Sequence, residues 1–496
     1  MSVQRLECWR SAALVALGGA LALASLVTGC KVGPNYKTPS AAMAPSFKEQ
    51  AAVTPPPSAP GVGWKHAEPG DDRIRGKWWE SYGDAQLNTL EERVTVSNQT
   101  LKVSLAEYTQ ALAAVQQYRS YYFPTVSLAP GYSRTRVSNN RPVGAPTTAN
   151  PYNDLTATGQ ATWEPDLWGN IRRTVQQARA NAQASAADLA NVELSLRSEL
   201  AMDYFELRGL DTQKQLLDDT IQQYQRYLQL TVARFHGGVA TDADVAQAQT
   251  QLDQTKAQDI DIGVARAQYE HAIATLTGQP ASTFSLAPAP LTLSLPAVPV
   301  GVPSEMLERR PDVAAAERRA AAANEQIGIA IAAYYPQLNL TGTGGFESSR
   351  PGILFQGPSA LWSLGGSATE VLFDAGRRHA ITAEARAAYD AQVANYRQTV
   401  LQSFQDVEDQ LAALSILNRE AAAQQQTVAD AERSLQISTN QYKGGLTTYL
   451  QVITAQTVAL TNQRTAADIT TRQFAASVQL VKALGGSWDR TQLPHP

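Results

Sequence analysis

The side chains of this 496-residue chain that could do chemistry are few and scattered. Its 5 histidines, His66, His236, His271, His379 and His495, fall at no metal-ligand spacing. Its 2 cysteines, Cys8 and Cys30, can build neither a disulfide framework nor a thiolate metal site. No glycine-rich phosphate loop follows a strand-like tract. Carboxylates fall mostly on helical faces beside arginine and lysine, where solvated i,i+4 pairs account for them. These residues point to no enzyme, no metal and no cofactor. A formal net charge of −4 without a basic stripe argues against nucleic acid as a partner.

One cysteine does stand in a reactive setting. Arg5 and Arg10 flank the start of an apolar, small-residue run, Ala12 to Val27, which ends in Leu26-Val27-Thr28-Gly29-Cys30. The run is too short to span a bilayer comfortably, and residues 1–29 read as a bacterial secretory signal. Its end is similar to a lipobox, in which small residues precede a cysteine that is acylated after cleavage. Cys30 is therefore expected to carry a covalent lipid, and Cys8 to leave with the signal; the bland alternative is a simple signal with an incidental cysteine. Lys31, not aspartate, follows Cys30, as in lipoproteins directed to the outer membrane. No other segment offers about 20 consecutive apolar residues. If the mature chain spans a membrane, it must do so as a β-barrel.

The elements that would position these residues come in two copies. Residues 30–77, rich in Pro, Ala and Ser, make an extended tether. After it, Tyr121-Tyr122-Phe123-Pro124 returns as Tyr334-Tyr335-Pro336, and Arg234-Phe235-His236-Gly237-Gly238-Val239 as Gln441-Tyr442-Lys443-Gly444-Gly445-Leu446. Gly169 and Gly376 each open a helix, setting a register of about 207 residues. The predicted order is repeat 1 over 78–280, a linker over 281–303, repeat 2 over 304–486 and a tail over 487–496. A repeat that cannot bury its own apolar face must stack on another copy.

Each repeat predicts helix, two strands, long helix, short helix. From Asp84 to about Tyr122 the apolar spacing is helical. Val126, Leu128 and Tyr132 then alternate with Thr125, Ser127 and Ser133, and Leu155 to Trp163 alternates likewise with threonines and Gln160. Leu338, Leu340 and Phe346 repeat the pattern, and Trp362, Leu364 and Ala368 give a fourth strand. At roughly 10 to 12 residues these tracts match transmembrane β-strands, with aliphatic and aromatic residues toward lipid and hydroxyls and amides toward a lumen. Two ordinary soluble hairpins are the bland alternative. Four strands cannot close a barrel, whereas three chains would supply twelve. The tracts from Asn170 to Phe235 and from Arg377 to Tyr442 contain no proline and predict helices roughly 100 Å long. Val393, Tyr396, Val400, Phe404, Val407, Leu411 and Leu414 follow a narrow 3-4 seam, as in the wall of a hollow helical cylinder.

This order of features resembles the TolC/OprM-like outer membrane factor family. Local tracts agree: Cys30-Lys31-Val32-Gly33-Pro34-Asn35-Tyr36, Trp78-Trp79 with Asp84 and Leu87, and Asp166-Leu167-Trp168-Gly169. The resemblance implies a mixed, mainly α fold. A trimeric outer-membrane β-barrel, four strands per chain, would be continuous with a long periplasmic α-helical barrel. A belt would form near 31–80, 280–305, 415–440 and the C-terminal tail. It also implies an exit duct for drugs or other small molecules, served by a periplasmic membrane-fusion adaptor and an RND-type inner-membrane pump. A pore-free structural coiled-coil lipoprotein and a duct for secreted protein or metal ions are the alternatives. Closure is expected at the periplasmic helix tips. The tips Gly237, Gly238, Val239, Gly444, Gly445 and Leu446 would dock the adaptor. Leu450 would form an apolar gating ring near Gln441, and Tyr442 and Asp244 could hydrogen-bond across. Thr454 stands where the family often has an aspartate and Thr447 where some members have an arginine, so closure is expected to lean on Leu450 packing more than on charge.

Overall fold

The computed structural model describes residues 30–41, 46–49, 76–138, 151–296, 298 and 306–494. The signal run and much of the Pro-rich tether lie outside them. Seven helices and four strands follow in order: α1 (Ala85–Ser97), α2 (Gln99–Arg119), β1 (Thr125–Thr135), β2 (Tyr152–Trp163), α3 (Asn170–His236), α4 (Asp242–Leu276), α5 (Pro311–Ala332), β3 (Gln337–Ser348), β4 (Ala360–Thr369), α6 (Arg377–Lys443) and α7 (Tyr449–Ala483). Short 3-10 turns and one helical turn, Met306–Arg309, connect them. The repeat is numerically strict, with α3 and α6 of 67 residues each and α4 and α7 of 35 each.

The strands form one antiparallel sheet, β1-β2-β3-β4. Its register puts Val126, Ala161, Gly342 and Leu364 in one cross-strand row and Leu128, Gly159, Gly344 and Trp362 in the next row of that face. Ser127, Gln160, Thr343 and Ser363 form a row on the opposite face. Because side chains alternate across a strand, the sequence alternation becomes one apolar and one hydroxyl-and-amide face. The apolar face is bare in the single chain: Leu128, Trp362 and Leu364 are each more than three-quarters exposed. Both β1 and β4 are edges. No helix among the described residues is long and apolar enough to cross a membrane.

At about 1.5 Å per residue, α3 and α6 run roughly 100 Å. Each is flanked by two shorter helices stacked end to end. In repeat 1 the single predicted helix over 84–122 is instead broken at Asn98. Its side-chain oxygen accepts from the Leu101 N–H at 3.0 Å, capping α2, and its amide donates to the Leu276 carbonyl at 2.9 Å, joining the end of α4. In repeat 2 Arg310 does the joining, donating to the Ala483 carbonyl at 3.1 Å. Both joints satisfy carbonyls that a helix end leaves without partners.

The largest core sits around the joint of repeat 1. Trp78, Trp79, Tyr82, Leu87 and Leu90 pack against Tyr204, Phe205 and Phe474. The Tyr204 hydroxyl donates to Asp84 at 2.6 Å, and Asp84 in turn caps α1. Residues 281–296 are pinned here without forming a strand: Ala289 N–H donates to Asp211 and Leu291 N–H to Thr212. Residues 415–440, a further candidate for this belt, lie within the uninterrupted α6, where Leu417 and Ala421 share a cluster with Leu295 and Val298. Val400, Val407 and Leu411 on its predicted seam are fully buried.

The described part of the N-terminal segment runs along the helices. Arg173 is wholly buried, donating to the Val32 carbonyl at 2.7 Å, the Pro34 carbonyl at 2.9 Å and Glu325 at 2.8 Å. Cys30 lies exposed at the sheet end of α3, with its carbonyl 3.4 Å from Arg172.

Candidate functional site

The predicted site residues gather where α3 turns into α4 and α6 into α7, at the ends of the long helices remote from the sheet. The two turns share a backbone. Gly237 and Gly444 continue the helix at φ −78° and −77°, and Gly238 and Gly445 reverse it at φ 71° and 74°. Only the second glycine of each pair needs the left-handed region, which side chains disfavour. Val239 N–H donates to the Arg234 carbonyl and Leu446 N–H to the Gln441 carbonyl, both at 2.8 Å, closing each helix end. Gln441 enters the site through that carbonyl.

Beyond the turns the chemistry diverges. Asp244 accepts from the Thr241 N–H and hydroxyl at 2.9 Å each, and the Thr241 hydroxyl accepts from the Asp244 N–H. This reciprocal capping box fixes the start of α4. Thr448 caps α7 with no side-chain bond; Thr447 instead donates to Gln451. Val239 and Leu446 are exposed at the two tips. Leu450 is 57% exposed, and Thr454, one turn on, is also exposed, its hydroxyl returned to the Leu450 carbonyl at 3.0 Å. From Tyr449 to Gln463, α7 carries no charged residue, whereas the first turn of α4 alone holds Asp242 and Asp244.

Tyr442 and Asp244 do not bond to each other in the chain. Tyr442 is buried and donates to Thr231 at 3.3 Å, while Asp244 is occupied by its own cap. What binds one hairpin to the other is, Tyr442 aside, a set the sequence did not single out. Arg234 donates to the Lys443 carbonyl at 3.2 Å, and its guanidinium stands 4.7 Å over the Tyr442 ring. Tyr449 tilts against Tyr442 at 5.3 Å and packs with Ala248 and Val452. Tyr227 reaches Thr439 across the same gap at 3.3 Å. Burial pushes the Tyr449 hydroxyl pKa up, so it stays neutral. The contacts that cross between the hairpins, from Arg234, Tyr227 and Ala248, join residues more than 200 apart in sequence, where no local pattern could reveal them, whereas Tyr442 and Tyr449 meet within the second hairpin.

The site holds no reactive cluster. Among the described residues no group of three metal-ligating side chains comes together. A perturbed carboxylate lies instead near the helix joint of repeat 1. Burial, then the neighbouring Glu199 and Glu206, pushes Asp203 up to about 7.

Comparison with known proteins fits this geometry. The outer membrane efflux protein family matches residues 90–279 and 302–486, one stretch per repeat. The chain is 30% identical over 420 residues to the pyoverdine export outer membrane protein OpmQ of Pseudomonas aeruginosa, covering 83% of this chain and 87% of that protein. It is 29% identical over 471 residues to the probable efflux pump outer membrane protein TtgC of Pseudomonas putida, with 94% of each covered. Among solved structures, the outer-membrane channel OprN aligns with a TM-score of 0.83 at 27% identity, over 92% of this chain and all of that one. VceC of Vibrio cholerae aligns at 0.78 and 28%, over 83% and 99%. The family match over both repeats, together with these relatives and structures, establishes that this chain belongs to the outer membrane efflux protein family, as an outer-membrane export component of a Gram-negative bacterium and not an enzyme.

Proposed function

We propose that three copies form one duct, a twelve-stranded barrel over a helical tunnel, which passes drugs or other small molecules outward. An acyl group on Cys30 anchors each copy to the outer membrane. A periplasmic membrane-fusion adaptor docks at Gly237, Gly238, Val239, Gly444, Gly445 and Leu446, and an RND-type inner-membrane pump feeds the duct. The observation that carries this reading is the sheet: four strands with one apolar face and two open edges. An open edge in lipid leaves backbone groups unsatisfied, so the strands must continue into other copies.

The tunnel closes on α7. Three copies of the uncharged face bearing Leu450 and Thr454 converge, so closure rests on leucine packing and a hydroxyl ring rather than on charge. In planar bilayers, Leu450→Ala is expected to raise single-channel conductance above that of the wild type, with little change in cation preference. Unchanged conductance would remove Leu450 from the gate. Wild-type protein that formed neither heat-resistant trimers on gels nor channels would defeat the duct itself and favour the pore-free coiled-coil alternative.

A further inference from the structure

Inside the chain the two repeats meet along β2 and β3, and the foot of that seam is sealed by rings. Trp168, in the turn from β2 to α3, stacks on Tyr335, in the turn from α5 to β3, with centroids 4.8 Å apart. Its indole N–H donates to the Pro336 carbonyl at 2.8 Å. A closed ring of repeats has a second kind of seam, between β4 of one copy and β1 of the next. Repeat-related turns flank it, but the seal cannot be the same. The position 207 residues after Trp168 is Ala375, which has no ring to stack. Ala375 is also the only non-glycine residue with positive φ among those described, at 52°.

That turn offers something else. Leu372 and Phe373 are 89% and 86% exposed, among the barest apolar side chains described. The opposite side of the seam holds a complement. Tyr122, Phe123, Trp163 and Ile171 line a mainly apolar cavity of about 360 Å³, bounded by Asp166 and Arg172.

The sheet register brings the two together. Trp163 pairs with Leu340 at the foot of the inner seam. Their repeat equivalents are Glu370 (163 + 207) and Leu128 (340 − 212, the offset between Pro336 and Pro124). Antiparallel continuation from that pair sets Leu372 opposite Val126 and Phe373 opposite Thr125, two residues from Phe123.

We infer that Phe373 of one copy inserts into the Tyr122–Phe123–Trp163 cavity of the next, with Leu372 covering Phe123. Apolar insertion then does between copies what the Trp168–Tyr335 stack does within one. The inference rests on the trimeric reading and names the surface that holds it. A lipid-facing role for Phe373 is the competing outcome.

The test uses the full acylated protein in detergent, after the wild type has been shown to be a trimer. Apart from Cys30, the chain beyond the signal has no cysteine. The double variant Phe123→Cys with Phe373→Cys, treated with a short bis-maleimide, is expected to give covalent dimers and trimers on gels, and each single variant none. Phe373→Ala is expected to let trimers dissociate at least about tenfold faster at fixed temperature, as loss of a buried ring predicts, with the circular dichroism of the chain unchanged. No cross-link, wild-type dissociation of Phe373→Ala, and labelling of Phe373→Cys by a bilayer-soluble maleimide would overturn the seam and leave the duct standing. A monomeric wild type would overturn both.

Discussion

The hairpins α3–α4 and α6–α7 have identical lengths and nearly superposable turns, yet they are chemically unlike. The first is fixed internally: the Thr241–Asp244 box caps it, and acidic residues begin α4. The second lacks that side-chain cap, presents Leu446 and Leu450, and is held from outside through Arg234, Thr231, Tyr227 and Ala248 of the first. Duplication thus preserved a backbone and divided its duties. One hairpin serves as a fixed post; the other is a member whose position depends on removable contacts. If the tips gate the duct as proposed, opening need not deform a turn and would need only the loss of a few bonds between hairpins.

The comparison breaks most sharply at Tyr449. This side chain is 1% exposed, and its repeat equivalent, 207 residues earlier, is the exposed Asp242. Tyr449→Ala should cost about 3 kcal/mol or more, the range for deleting a buried ring, and Asp242→Ala should cost little in a denaturant titration. A comparable cost at both positions would mean that the hairpins are alike. Next is Arg234→Ala, which removes one charged hydrogen bond and one cation–π contact, together about 1–2 kcal/mol. It should raise the fraction of time channels spend open in bilayers while leaving hydrogen exchange in the first turn of α4 unchanged. Thr241→Ala should cost about 1 kcal/mol through the lost cap and speed exchange in that turn, whereas Thr448→Ala, which has no cap bond to lose, should leave α7 unaltered.

The smallest effect concerns acidity. Asp203 in α3 is repeated as Gln410 in α6 (203 + 207). The native state holds the Asp203 proton up to about pH 7, whereas an unfolded aspartate releases it near pH ~4. Stability should therefore fall as pH rises through that window. Asp203→Asn should raise the unfolding midpoint at pH 8 and leave it unmoved at pH 4, by under about 1 kcal/mol given its partial exposure. Gln410→Asn should show no such pH dependence.

Much of this architecture is legible in the chain because two solvents write it. Strands with one apolar and one polar face must alternate, so Val126 to Tyr132 stands out, whereas Trp362 to Ala368, interrupted by Gly365 and Gly366, is the faintest of the four. Helices without proline must run on, so α3 and α6 could be measured in advance to within a residue or two. The break at Asn98 escaped notice because apolar spacing continues across it from Leu87 to Leu112, hiding a cap within a helical pattern. The anchors of the 281–296 segment, such as Asp211 and Thr212 holding Ala289 and Leu291, are long-range and leave no local signal. Arg234 and Tyr449 were missed for the same reason: their meaning depends on a neighbour two hundred positions away.

The strict count of 67 and 35 residues in both halves has a consequence for how such a conduit can change its reach. A rim rests level only on supports of equal height. An added turn of helix in one half alone would tilt the mouth and leave half of its corners unable to meet a partner beneath. In the proposed duct, extending or shortening the tube would therefore require matched edits at two distant places in the gene.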